Sequence, residues 1–208
     1  GTVKPSRLLP TSVGGGGGRP LPDAPKGASS PGWSPDGRTI AFSSTPATAK
    51  ADSTKKAGAD STPKKHVSDV RVITRAQYRL NGAGYADPTE HSHIWTIPSS
   101  IGPTGALPTM RQITFGDFDE SKPVWSPDGS KLYFTSNRRL EPYYDAKSDE
   151  LYSVPANGGT MGNVASLAGG IGTIAVSTAG NHNAVQGTQR GQALRFPSGA
   201  EPFLLSHG

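Results

Sequence analysis

The sequence predicts an all-β chain built from repeated four-stranded antiparallel units, and three observations predict it. The pentapeptide WSPDG occurs twice, at Trp33–Gly37 and Trp125–Gly129. Each copy is followed by alternating apolar residues, the period of a half-buried strand. The composition, with 27 Gly, 19 Pro and only 33% hydrophobic residues, shows no sustained helical periodicity.

The copies read PGWSPDGRTIAFSS and PVWSPDGSKLYFTS. Proline presets φ at the second turn position, aspartate bonds back to the local backbone, and glycine accepts a positive φ. A turn of this kind joins two antiparallel strands and often carries a bulge. Beyond it, Ile40 and Phe42 fall on one strand face, as do Leu132 and Phe134. His93–Pro98 and Glu150–Pro155 then read as matching third strands stopped by proline. Arg111–Phe115 and Asn163–Leu167 read as closing strands.

A third, worn copy follows. Ile174–Gly180 keeps the apolar start, Ser177 and a turn at Ala179-Gly180, but loses Trp, Pro and Asp; Asn183 stands where the others have Ile40 and Leu132. Leu194–Pro197 and Phe203–Ser206 would complete its four strands. At the other end, Ser6–Thr11 resembles a closing strand whose own unit is missing. The expected organisation is therefore a stray closing strand and Gly/Pro-rich linker over 1–30 and a unit over 31–118. A second unit covers 119–170, and a degenerate one 171–208.

A four-stranded propeller blade takes roughly 40–50 residues. The interval from Trp125 to Val176 fits that length, and the interval from Trp33 to Trp125 is too long. The excess is an insertion at about 45–92. Its first half, to about Lys65, is Ala, Lys, Asp, Ser and Thr, which reads as a mobile surface loop. Its second half carries Val70, Val72, Ile73, Tyr78, Leu80 and Tyr85, which suggests ordered structure beside the blade. The expected fold is a partial β-propeller of about three blades.

The net charge of +5 is concentrated in lysines of the polar half of the insertion, with Asp52 and Asp60 interleaved. Neither a reading helix nor an aromatic-interleaved basic face accompanies it, which argues against nucleic acid. The absence of cysteine excludes disulfides and thiolate chemistry. No apolar run approaches a membrane span, and Gly1 begins no recognisable signal peptide, leaving a periplasmic, secreted or cytoplasmic protein. His91-Ser92-His93 places two imidazoles on one strand face, but a metal site needs a third ligand. Strand-edge histidine is the simpler reading, and no cofactor is expected.

HVSDVRVITRAQYRLNGAGYADPTEHSHIWTIP, RQITFGDFDESKPVWSPDG and SNRRLEPYYDAKSDELYSVP together resemble one particular propeller. It is that of the prolyl oligopeptidase family of serine peptidases, in its acylaminoacyl- and dipeptidyl-peptidase branch. The resemblance covers most of Pro25 to Gly172. It implies a propeller joined to an α/β-hydrolase domain, gating the access of short peptides and helping to hold a substrate terminus. The nucleophile elbow G-x-S-x-G is absent from this chain, so no catalytic role is carried to any residue here.

The candidate substrate-binding residues are Arg71, Arg75, Tyr78, Arg79 and Tyr85 of the insertion, and Glu141, Tyr143 and Tyr144 after the second hairpin. Arginine binds carboxylates bidentately, and a carboxylate receives a peptide ammonium. The plainer alternatives are a surface ribbon pairing with Asp69 and Asp87, and a turn with packed tyrosine rings. The partners implied are a hydrolase domain of the same polypeptide, or copies of this chain, and peptides. The alternative function is a self-assembling or stand-alone propeller-repeat protein without peptidase activity. Three units cannot close a ring, so apolar outer faces are expected on the first and third.

Overall fold

A computed structural model describes residues 6–11, 20–24, 26–46, 79–80, 84–85, 89–100, 106–139, 149–166, 169–178, 183–189 and 203–206. None of these is helical. The first sheet contains β1 (Ser29–Trp33) and β2 (Thr39–Ser44). A two-stranded ribbon follows, β3 (Arg79–Leu80) and β4 (Gly84–Tyr85), inside the insertion. The first sheet is completed by β5 (His93–Pro98) and β6 (Arg111–Gln112) in the order β1-β2-β5-β6. The second sheet runs in the same sense: β7 (Glu120–Trp125), β8 (Lys131–Ser136), β9 (Glu150–Pro155) and β10 (Gly162–Ser166). Every pairing in both sheets is antiparallel.

The two WSPDG turns are built alike. Ser34 Oγ donates to Asp36 Oδ1 at 2.6 Å and accepts from the Thr39 N–H at 2.9 Å. Ser126 Oγ does the same with Asp128 Oδ1 at 2.6 Å and the Lys131 N–H at 2.9 Å. Gly37 and Gly129 sit at φ 68° and 70°, conformations that a side chain would strain. The serine hydroxyl therefore crosses the turn, a part its sequence position did not disclose. Hydrogen bonds from Ser126, and then from Ser130, hold the Asp128 carboxyl down to about 2; bonds from Ser34 and the Arg38 N–H lower Asp36 in the same direction.

This predicts a pH dependence. The folded Asp128 carboxyl titrates below its unfolded value of 3.8. Its contribution is thus complete above about pH 4 and lost as pH falls toward about 2. The melting-temperature gap between wild type and Asp128→Ala should be open at neutral pH and close through that window. A gap independent of pH would refute the assignment.

Alternation places the core as expected. Ile40 and Phe42 share a face with Ile97, while Ala41 and Ile94 point the opposite way, toward the second sheet. There they meet Leu132, Phe134, Tyr152 and Val154, with Trp125 packed against the same cluster. The sheets are thus stacked face to face, with the first strands β1 and β7 as neighbours. Each first strand carries a bulge, between Ser29 and Gly32 and between Ser121 and Val124. Ser30 and Lys122 occupy equivalent positive-φ positions there, at 49° and 57°.

The third unit departs from expectation. β11 (Gly169–Val176) and β12 (Asn183–Gln189) form the hairpin, with Val176 opposite Asn183 as Trp33 is opposite Ile40 and Trp125 opposite Leu132. β13 (Phe203–Ser206), however, pairs with β12 in parallel, so the described sheet has three strands and is not wholly antiparallel. A parallel pair needs a crossover of about a dozen residues, and the span 190–202 provides one. Leu194–Pro197 and the turn at Ala179-Gly180 lie outside the described residues. The third sheet packs on the second through Leu151, Ala165, Ile171, Ile174 and Val185.

The apolar outer face expected on the first sheet is covered. Residues 6–11 form no strand; they run beside 21–28, with the Leu21 N–H donating to Leu8 O and the Ala28 N–H to Ser6 O. Leu21 and Ala24, flanked by Leu8 and Ala28, close over Ile40, Phe42 and Ile97. On the third sheet, the face turned away from the second presents Thr173, Ala175 and Gln186, small or polar and exposed. The side chains of β13, whose Leu204 is the register partner of Ala184, lie outside the described residues.

Candidate functional site

Register places both candidate loops at one end of the stack. Ser44 pairs with His93, and Ser136 with Glu150, so the insertion and the β8–β9 connection are rooted side by side at the end opposite the WSPDG turns. Of the sequence-predicted residues, Arg79 and Tyr85 face each other across the β3–β4 ribbon as backbone partners. Arg71, Arg75, Tyr78, Glu141, Tyr143 and Tyr144 lie outside the described residues, as does the polar half of the insertion beyond Pro46.

At the roots of those loops the two sheets are joined by a polar cluster centred on Glu120, which is fully buried. Glu120 Oε2 lies 3.2 Å from His93 Nδ1 and accepts a short hydrogen bond from Thr114 Oγ1. Its other oxygen accepts a short bond from Arg138 Nη2. Thr114 Oγ1 also accepts from the Ile94 N–H at 2.9 Å. The Arg138 guanidinium lies 4.7 Å from the Tyr152 ring centroid and 5.3 Å from that of Phe118. Burial, and then its hydrogen bond to Glu150, raise the Tyr152 phenol above its ordinary value.

His91 and His93 are not edge residues; both are buried against carboxylates, with His91 Nδ1 3.8 Å from Asp119 Oδ2. Neither His91 nitrogen makes a hydrogen bond with a described residue, nor does Arg138 Nε. No group of three His, Asp or Glu side chains suited to a metal occurs among the described residues. Thr114 Oγ1 is committed to Glu120, and Ser136 Oγ to the Asp119 carbonyl at 2.9 Å; neither hydroxyl is bonded to a histidine. The cluster can neutralise and orient charge at the loop roots, and it lacks the pairing that activates a nucleophile.

Simple alternation hid this cluster. Glu120 and Trp125 are an odd number of residues apart and would face opposite sides of a regular strand. The bulge between Ser121 and Val124 inserts one residue and turns both toward the first sheet. The available signal was the carboxylate itself, since a charge at the start of a strand that packs on another sheet needs a partner.

The opposite end holds a cleft of about 700 Å³ between the two turns, lined by Pro35, Asp36, Arg111, Trp125, Pro127 and Asp128 among others. Its carboxylates are spent on their own turns, and Arg111 Nη2 donates to the Asn157 carbonyl at 2.5 Å. Its polar groups are largely satisfied within the fold, which leaves the loop-bearing end as the stronger candidate. No helix among the described residues is long and apolar enough to cross a membrane. Neither a protein-family model nor a curated protein matches the chain.

Proposed function

We infer that the chain is the non-catalytic propeller portion of a serine exopeptidase of the acylaminoacyl- or dipeptidyl-peptidase kind. In this reading it gates peptide access and positions substrate over a hydrolase domain that this chain does not contain. The observation that carries the reading is the common root of the Arg- and Tyr-rich insertion and the Glu141–Tyr144 loop at one end of two stacked WSPDG sheets. At that root the partly exposed Arg138 guanidinium lies beside the buried Glu120 carboxylate, and a guanidinium suits the carboxylate terminus of a short peptide.

Amide chemical shifts of the chain titrated with acetyl-dialanine and with free dialanine test this. Shifts centred on His91, Ser92, Asn137 and Arg138 are expected, with a dissociation constant on the order of 1 mM. Purified chain should not hydrolyse the corresponding nitroanilides. Shifts confined to the turn cleft, or turnover lost on substituting a serine of this chain, would overturn the proposal.

A further inference from the structure

The face of the first sheet that meets the second changes character along its length. On β2 it runs from Ala41 to Thr39, and on β5 from Ile94 to Thr96 and Pro98. Along and beside β6 it runs from Ile113 to Arg111 and Thr109. The apolar members, Ala41, Ile94 and Ile113, belong to the core between the two sheets. Three neighbouring strands thus exchange apolar side chains for polar ones in the same direction, toward the WSPDG turns. A core built for packing alone would stay apolar to its end. Here it opens into the cleft of about 700 Å³, which the polar members line from one side and Trp125 from the facing sheet.

The charged groups of this cleft have partners in the fold, and its threonines do not. None of the hydroxyls of Thr39, Thr96 and Thr109 hydrogen-bonds to a described residue. Thr96 carries the argument, because it is only 8% exposed and what it opens on to is the cleft. Valine has the same shape and an equal preference for strands, so a hydroxyl at a buried strand position costs stability unless it finds a partner. Among the described residues the fold supplies none.

We propose that the cleft binds a neutral saccharide, a mono- or disaccharide in size. Thr96 and Thr39 bond its hydroxyls, and the Trp125 indole packs on the apolar side of a sugar ring. A threonine hydroxyl both donates and accepts, as each sugar hydroxyl does, so the two match without net charge. A charged ligand would meet groups already engaged: Asp36 and Asp128 by their turns, and Arg111 by the Asn157 carbonyl. A proline-rich peptide is read by several aromatic ridges, whereas Trp125 is the one aromatic lining the cleft among the described residues. The volume falls within the range of small-molecule sites. The inference does not rest on the peptidase reading, and the cleft lies at the end of the stack opposite the loop roots.

Amide shifts of the whole chain, titrated with maltose, cellobiose and N,N′-diacetylchitobiose to about 50 mM each, test it. At least one sugar should move Thr96, Arg111 and Gly129 saturably, with a dissociation constant on the order of 1 mM, and leave His91 and Arg138 in place. Thr96→Val should weaken that binding about fivefold, and Thr39→Val combined with it about twentyfold. Urea midpoints of both variants should stay at or above the wild-type value, since each substitution removes a hydroxyl the fold does not use. That separates lost binding from lost folding. Absence of saturable shifts with all three sugars would overturn the proposal. So would unchanged affinity in the double variant, a Thr96→Val midpoint well below wild type, or tetraproline binding at the same amides in place of the sugars.

Discussion

Glu120→Ala is expected to cost the chain about 3–5 kcal/mol, the range for removing one partner of a buried ion pair. The carboxylate is fully buried, and it is the acceptor for Arg138 and Thr114 and the neighbour of His93. Its loss leaves a guanidinium packed on Tyr152 and Phe118 with no ion-pair partner among the described residues, and frees Thr114, whose hydroxyl also holds the Ile94 N–H. Arg138 is partly exposed and regains some water, which favours the lower end of the range. Replacing both, Glu120→Met with Arg138→Met, should cost clearly less than Glu120→Ala, because no charge is then stranded. Urea denaturation of the three chains decides it. A single variant within about 1 kcal/mol of wild type would show that water already serves the cluster.

Phe134→Ala is expected to cost about 3–5 kcal/mol, and more than Phe42→Ala. Both rings are fully buried, but their surroundings differ in how far they can collapse. Phe134 lies between two hydrogen-bonded sheets, with Tyr152 stacked at 5.9 Å, so the vacated space persists as a cavity. Phe42 is covered on one side by Leu8, Leu21, Ala24 and Ala28, which belong to no strand and can settle into the gap. Equal losses in denaturant unfolding would indicate that the covering segment is as rigid as a sheet.

The candidate site was legible in outline and not in its members. Arginine and tyrosine in the insertion, and Glu141 with its neighbouring tyrosines, stand out by their chemistry. Of these, the structure describes the backbone of Arg79 and Tyr85. The residues that join the sheets at the loop roots belong to no local pattern: Glu120 meets Arg138 from 18 residues away and His93 from 27. The histidine pair stands out by its spacing, but its partners, Asp119 and Glu120, arrive at the start of the second sheet.

What the sequence determined by itself is local. Ser-Pro-Asp-Gly closes its turn through atoms within six residues, so both hairpins, their strand faces and the proline-stopped β5 and β9 could be read directly. Tertiary structure decided the rest, because the free energy there comes from surfaces that meet only after the sheets stack. A single bulged residue reversed the face of Glu120. The long 190–202 connection let β13 join β12 in parallel. Residues 6–11, 20–24 and 26–28 served as a cover for the first sheet instead of a strand. Trp125 reached across to the Gly32 carbonyl, and Val124 joined Val176 between the second and third sheets, contacts that neither strand encodes alone.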